Sequence, residues 1–129
     1  MPPTTKLQVL VAEDNPINQR VLVALLQQLG HTGVVVSDGE QASRCLAQRA
    51  FDLLLLDMEM PVKTGVEVLA DLRAAEAARG GHLPVIFVTS NDMPDERARC
   101  LALGADGYLC KPVALADLEQ EIRVTLSLR

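Results

Sequence analysis

The sequence predicts an α/β domain in which a parallel sheet is covered by helices on both faces. Two observations lead to this fold class. Short, nearly continuous aliphatic runs recur along the chain, and longer segments with helical spacing separate them. The two kinds alternate five times, as right-handed strand–helix–strand crossovers require. Runs that are apolar on both sides suit strands buried on both faces, not the half-solvated strands of an antiparallel sheet.

The first run is Val9-Leu10-Val11-Ala12. A helix follows: Asn15 is suited to cap it, and Pro16 fits its first turn, where a missing N–H costs nothing. Ile17, Val21, Leu25 and Leu29 recur at every fourth position, which predicts a buried stripe, and Gly30 is placed to end the helix. The second run is Val34-Val35-Val36, followed by Ser37-Asp38 as caps and a helix over about 39–48. The third is Leu53-Leu54-Leu55-Leu56, with a helix over about 65–78 that carries Val66, Leu69 and Leu72 and stops at Gly80-Gly81. The fourth is Val85-Ile86-Phe87-Val88, with a helix over about 95–103 ending at Gly104. Tyr108-Leu109-Cys110 is a weaker fifth run, followed by a helix over about 115–126 with Leu115, Leu118, Ile122 and Leu126 on one face.

Composition sets the bounds. The chain has 129 residues, one domain's worth, and 49% of them are hydrophobic, enough to build a core. Only 2% are aromatic, so that core must be aliphatic. A net charge of −5 argues against nucleic acid and anionic membranes as partners, because both need clustered cations. No apolar run approaches the ~20 residues of a membrane span, and the N-terminus lacks the pattern of a signal peptide. Cys45, Cys100 and Cys110 form no Cys-x-x-Cys pair, which points to a reducing cytoplasm and not to disulfides or zinc. His31 and His82 have no ligand pattern and are expected at loop or edge positions. Residues 1–5 are expected to be a flexible segment ahead of a single domain over 6–129.

The chemistry gathers where the strands end. In an open parallel sheet, ligands bind at the carboxyl edge, near the switch in strand order. Glu13 and Asp14 follow the first run, Asp57 the third, Thr89-Ser90 the fourth and Lys111-Pro112 the fifth. Taken singly, each is an ordinary turn or cap residue; together they place matching groups on one edge. Two like charges 4 Å apart cost about 4 kcal/mol at an effective dielectric of ~20. Three carboxylates there need either a proton or a cation. With oxygen ligands alone, the cation is a hard one, Mg²⁺ or Mn²⁺ in its place. Lys111 is the natural ammonium partner of Asp57 and of an incoming phosphoryl group, and Thr89 can donate a hydroxyl. Asp57 is then a candidate carboxylate nucleophile.

These residues resemble the receiver domains of two-component response regulators over nearly the whole chain. The resemblance is carried by Val11-Ala12-Glu13-Asp14-Asn15-Pro16, by Leu56-Asp57-Met58-Glu59-Met60-Pro61 with Gly65, by Val88-Thr89-Ser90, and by Gly104-Ala105-Asp106-Gly107-Tyr108-Leu109 with Lys111-Pro112. It implies the flavodoxin-like three-layer fold, with a five-stranded sheet of order 2-1-3-4-5. It also implies that Asp57 is the phosphoacceptor. Asp14 and Asp57 would bind Mg²⁺ directly, Glu13 largely through water, and Glu59 through its backbone carbonyl. Lys111 would pair with the phosphoryl group, Thr89 and Tyr108 would be the switch pair, and Pro112 would follow a cis peptide bond. Glu59 and Asn91 occupy positions where the phosphoryl lifetime is tuned. Val62-Lys63-Thr64 departs from the Met-Asp that the family often has before Gly65.

The run Glu13-Asp14-Asn15-Pro16-Ile17-Asn18-Gln19 is most like receivers of hybrid sensor histidine kinases. The expectation is a cytoplasmic receiver excised from such a kinase, with a stand-alone single-domain regulator as the alternative. Its partners would be a histidine kinase or a histidine phosphotransfer protein, meeting Ile17, Asn18, Val21 and the Pro112-Val113 loop, although the spacing of Ile17 and Val21 favours burial. The domain itself would catalyse only its own phosphorylation and dephosphorylation. Two other classes compete. An aspartate-nucleophile phosphohydrolase would use Glu59 as general acid but has no room for a cap. A flavodoxin would set Glu13 and Asp14 against the flavin phosphate and lacks aromatic side chains to stack the ring.

Overall fold

The structure, a computed structural model, describes residues 6–127. The expected flexible segment 1–5 lies outside the described residues. The elements run β1 (Gln8–Ala12), α1 (Pro16–Gln28), β2 (Thr32–Val36), α2 (Gly39–Gln48), β3 (Leu53–Asp57), α3 (Gly65–Arg79), β4 (Val85–Thr89), α4 (Glu96–Ala102), β5 (Gly107–Cys110) and α5 (Leu115–Ser127). All strand pairs are parallel, and the sheet order is β2-β1-β3-β4-β5. This is the flavodoxin-like arrangement.

Alternate residues of each strand feed two cores, as the two-residue period of a strand demands. Leu10, Leu54, Leu56 and Phe87 point to one face, where Ala42 of α2, Val68, Leu69 and Leu72 of α3 and Cys100 of α4 cover them. Val9, Val11, Leu53, Leu55, Ile86 and Val88 point to the other, beneath Leu22 and Leu26 of α1 and Leu118 and Ile122 of α5. The central strands β3 and β4 are buried along their whole length. β2 is an edge strand and only half-buried, and it begins two residues before the valine run because Thr32 and Gly33 also pair with β1.

Helix α1 departs from the expected stripe. Leu22 and Leu26 are its buried residues, with Leu25 and Leu29 packed beside them. Ile17 is 68% exposed and Val21 40%, so neither belongs to the core. A spacing of four drifts around a helix of 3.6 residues per turn, and over three turns it leaves the buried face. Leu115 likewise lies at the exposed start of α5. His31 is buried, not peripheral: its Nδ1 accepts the Leu7 backbone N–H at 3.1 Å, which leaves Nε2 as the protonated nitrogen of the neutral ring, and burial lowers its pKa.

The amino edge of the sheet is held by ion pairs. Arg73 of α3 bonds to Glu76, to Asp106 and to the carbonyls of Gly104 and Leu83. Asp106 also accepts the Val85 N–H at 2.9 Å and meets His82 at 2.7 Å. Among the described residues, no helix is long and apolar enough to cross a membrane.

Phe87 is the largest fully buried side chain and touches the face that α3 and α4 cover. Phe87→Ala is expected to cost about 3–5 kcal/mol of unfolding free energy by urea denaturation. A loss below about 1 kcal/mol would contradict this account of the core.

Candidate functional site

The strand registers bring the chemistry-bearing residues to one edge. Ala12 lies beside Leu56, Asp57 beside Val88, and Thr89 beside Cys110. Each strand then hands its next residues to the same crevice. The chain leaves β1 for β2 on one side and returns to β3 on the other, so Glu13, Asp14 and Asp57 stand at the switch in strand order.

The loop after β1 is built by its own hydrogen bonds. Asn15 caps α1, its Oδ1 accepting the Ile17 and Asn18 N–H groups at 2.9 and 3.0 Å. The Asn15 N–H donates to Glu13 Oε2 at 3.1 Å, and Gln19 donates to the Glu13 carbonyl at 2.6 Å. Glu13 is therefore held inward and fully buried, while Asp14 faces solvent. The loop after β3 is set by close approach. A Cβ on Gly65 would collide with the Asp57 carbonyl oxygen, so only glycine lets α3 start there. Thr64 and Glu67 form a capping box at the same helix start. Val62 takes the left-handed region at φ 73°, a strained conformation for a β-branched residue, and its side chain is exposed. Lys63 is anchored by Ser43 at 2.8 Å and Asp71 at 2.5 Å.

Carboxylate oxygens of Glu13, Asp14 and Asp57 lie within 4.8 Å of one another. Lys111 Nζ stands 2.9 Å from Glu13 Oε1 and 3.4 Å from Asp57 Oδ2. The contact with Glu13 Oε1 is a close ion pair. The Lys111–Pro112 peptide bond is cis. Asp57 Oδ1 accepts the Glu59 N–H at 3.1 Å. Burial raises the Asp57 carboxyl to a pKa of about 7; the Glu59 N–H and Lys111 pull it down, and the neighbouring Glu13 and Asp14 push it up. Burial works against the Lys111 ammonium, but Glu13 and Asp57 outweigh it, and its pKa rises.

The donor set fits a hard divalent cation. It is all oxygen, and its three carboxyl groups meet a single ammonium. Glu13, Asp14 and Asp57 are the side chains placed to hold such an ion.

Thr89 is buried at the end of β4, and its Oγ1 accepts the Asn91 N–H at 3.1 Å. The Tyr108 hydroxyl donates to the Asn91 carbonyl at 2.9 Å. Both side chains therefore hold the same turn. The Asn91 side chain donates to Glu96, a carboxylate only 1% exposed that Arg99 also pairs with. Glu59, Thr89, Ser90 and Asn91 line an open cleft of about 530 Å³ beside the cluster. Sequence reasoning misses Glu96, Arg97 and Glu121. The spacing of Glu96 and Arg99 is visible in the chain, but the burial of that carboxylate depends on tertiary packing.

Three comparisons with known proteins agree with this geometry. Residues 9–123 match the model of the response regulator receiver domain. The chain is 37% identical over 118 residues to the sensor histidine kinase RcsC of Salmonella typhi, covering 92% of this chain and 12% of that protein. It is 36% identical over 111 residues to hybrid signal transduction histidine kinase I of Dictyostelium discoideum, covering 82% of this chain and 6% of that protein. The chain thus spans a small part of these curated relatives. Among solved structures, the receiver domain of the sensor histidine kinase PA1611 of Pseudomonas aeruginosa superposes with a TM-score of 0.82 at 34% identity, over 95% of this chain and 99% of that one. That structure holds a magnesium ion coordinated in its active-site cleft. The chemotaxis response regulator CheY4 of Vibrio cholerae superposes with a TM-score of 0.82 at 26% identity, over 94% of this chain and 99% of that one.

The raised Asp57 pKa has a definite sign for stability. Between its ordinary value of 3.8 and about 7, the folded chain keeps a proton that the unfolded chain has released. Ionising Asp57 therefore costs stability that is untouched below the lower value and fully lost above the upper one. In EDTA at pH 8, Asp57→Asn is expected to raise the unfolding free energy by about 1–3 kcal/mol, and the gain should vanish near pH 4. An Asp57→Asn gain equal at both pH values would contradict the assignment.

Proposed function

The chain belongs to the response regulator receiver domain family, and we propose on that premise that it takes a phosphoryl group from a phosphohistidine onto Asp57 and changes conformation in response. The observation that carries this reading is the approach of Lys111 to Asp57 at 3.4 Å inside the acidic cluster. An ammonium group placed there balances the acceptor before transfer and meets the phosphoryl oxygens after it. A bound Mg²⁺ supplies positive charge for the phosphoryl oxygens. Asp14 and Asp57 would hold it directly, Glu13 through water and Glu59 through its backbone carbonyl; Mn²⁺ suits the same oxygen donors.

In the reaction, an ionised Asp57 oxygen attacks phosphorus as the bond to the donor's imidazole nitrogen breaks. The imidazole leaves with that electron pair, and the chain gains an acyl phosphate. Lys111 neutralises charge on the transferred group, and Glu13 gives up part of its hold on the ammonium. The Thr89 hydroxyl gains a charge-assisted hydrogen bond to a phosphoryl oxygen in this state alone. One such bond is worth about 1.5–3 kcal/mol, whereas moving an equilibrium from 1:99 to 99:1 needs about 5.5 kcal/mol. Lys111 and the turn at Asn91 must therefore share the work. Thr89 cannot swing toward the phosphoryl group without releasing the Asn91 N–H, and that release frees the turn holding the Tyr108 hydroxyl. Glu59 and Asn91 flank the open cleft, where water reaches the acyl phosphate, and so govern its lifetime.

The partner surface follows from the corrected α1. Asn18 and Val21 line a small hollow together with Glu13, Lys111, Pro112 and Val113. Ile17 stands exposed one turn away. An apolar patch beside the acceptor suits a helical histidine phosphotransfer protein or the histidine-bearing helices of a kinase. The parent protein is, on this reading, a hybrid sensor histidine kinase, and the domain acts in the cytoplasm.

Two measurements test these statements. With acetyl phosphate and Mg²⁺, intact-mass spectrometry is expected to show one added PO₃H in the wild type, none in Asp57→Asn, and a yield reduced about 10-fold or more in Lys111→Ala. Equal labelling of Asp57→Asn would reject the acceptor. For the surface, Ile17→Asp with Val21→Asp is expected to weaken binding to a purified histidine phosphotransfer protein about 10-fold or more by calorimetry, with the thermal midpoint unchanged. Unchanged affinity would place the partner elsewhere.

A further inference from the structure

Gln19, in the first part of α1, makes two contacts that neither the acidic cluster nor the partner surface accounts for. Its side chain is half-buried, and its Nε2 donates to the Glu13 carbonyl at 2.6 Å and to Ser37 Oγ at 3.2 Å. A primary amide nitrogen carries two hydrogens, so both bonds can be made at once. Ser37 is fixed in turn, because its backbone N–H donates to Gln41 Oε1 of α2 at 2.9 Å. One side chain from α1 thus joins the loop after β1 to the loop after β2. The backbone joins them as well, through the Glu13 N–H on the Val36 carbonyl at 3.1 Å.

The Glu13 carbonyl belongs to the planar peptide unit that continues into Asp14. A donor on that oxygen therefore fixes the plane from which the Asp14 side chain departs. Asp14 is exposed, unlike Glu13 and Asp57, so packing does little to place it. The next peptide unit is held by the Asn15 N–H on Glu13 Oε2 at 3.1 Å. That bond depends on a carboxylate of the cluster itself, whose oxygens a cation would redistribute. Gln19 is neutral, and its bonds go to a backbone oxygen and a serine hydroxyl, so its hold survives the arrival of charge. A loop ordered beforehand loses less freedom when its carboxylate becomes a ligand.

We propose that Gln19, braced by Ser37, is a positioning residue for the cation site: it fixes the Glu13–Asp14 peptide so that Asp14 is presented to Mg²⁺ before the ion arrives. The inference rests on the reading of Glu13, Asp14 and Asp57 as the Mg²⁺ site, and it adds what holds the exposed member of that set. Groups that orient metal ligands in this way are commonly worth about 10-fold or more in metal affinity.

The test is a titration of the ¹⁵N-labelled chain with MgCl₂ at constant ionic strength, read by amide spectra without any phosphoryl donor. Gln19→Met keeps the length and helical preference of the side chain and removes both donors. Ser37 is exposed, so Ser37→Ala tests the same brace in a chain whose core is untouched. The Mg²⁺ dissociation constant of Gln19→Met is expected to rise about 10-fold or more, and that of Ser37→Ala about 2-fold or more. In EDTA, the amides of Asp14 and Asn15 are expected to shift in Gln19→Met, while those of Glu59 and Lys111 keep their wild-type positions. A smaller rise in Gln19→Met, or an unchanged affinity in Ser37→Ala, would overturn the proposal. Movement of the Glu59 and Lys111 amides in EDTA would overturn it too, since the loss would then belong to the whole site and not to Asp14. A wild-type chain whose Glu13, Asp14 and Asp57 amides ignore MgCl₂ would instead overturn the cation site itself, and the role of Gln19 would fall with it.

Discussion

Three carboxyl groups crowd the carboxyl edge of the sheet, and one ammonium group allows them to stay there. Lys111 lies against both Glu13 and Asp57, and without it two buried acids would face each other with no cation between them. Even with it the Asp57 pKa is raised, first by burial and then by the neighbouring Glu13 and Asp14. A site that still repels its own anions has affinity in reserve for a divalent cation. On the proposed function, a phosphoryl group transferred to this carboxylate would present oxygens that the same lysine can meet.

The fold holds these groups in place with few resources. Parallel registers end the strands level with one another, so the residues that follow β1, β3, β4 and β5 arrive at one crevice. Small features then fix the loops: the Asn15 cap, the bare Cα of Gly65 against Asp57, and the Asn91 turn shared by Thr89 and Tyr108. The same Asn91 turn joins the acceptor to the far side of the molecule. Thr89 meets it from the site, and Tyr108 meets it from β5.

Much of this is legible in the chain itself, and the part that is not has physical reasons. Aliphatic runs such as Leu53-Leu54-Leu55-Leu56 can satisfy burial only as central strands, so the sheet is readable. Asp14, Asp57, Thr89 and Lys111 are readable because a parallel sheet sends every strand end to the same edge. Helix faces are harder to read. Ile17 and Val21 keep a spacing of four with Leu25 and Leu29, yet the buried residues are Leu22 and Leu26, since the face is chosen by what the sheet presents. Buried charges are hardest. Glu96 and Glu121 look like ordinary solvent-facing helical acids, and Glu121 is admitted only by the missing side chain at Gly107, fourteen residues earlier on another element. Lys63 is held by Ser43 and Asp71, which only the fold brings within reach.

We propose that Lys111 and a divalent cation converge on Asp57 as the phosphoacceptor, and a crystal structure grown with Mg²⁺ and beryllofluoride is the test. The expected result is beryllium bonded to an Asp57 oxygen, the metal among Glu13, Asp14 and Asp57, and Lys111 Nζ hydrogen-bonded to a fluorine and withdrawn from its present 2.9 Å contact with Glu13. Lys111 still resting on Glu13 with no contact to the fluorines, or the metal bound away from these carboxylates, would contradict it.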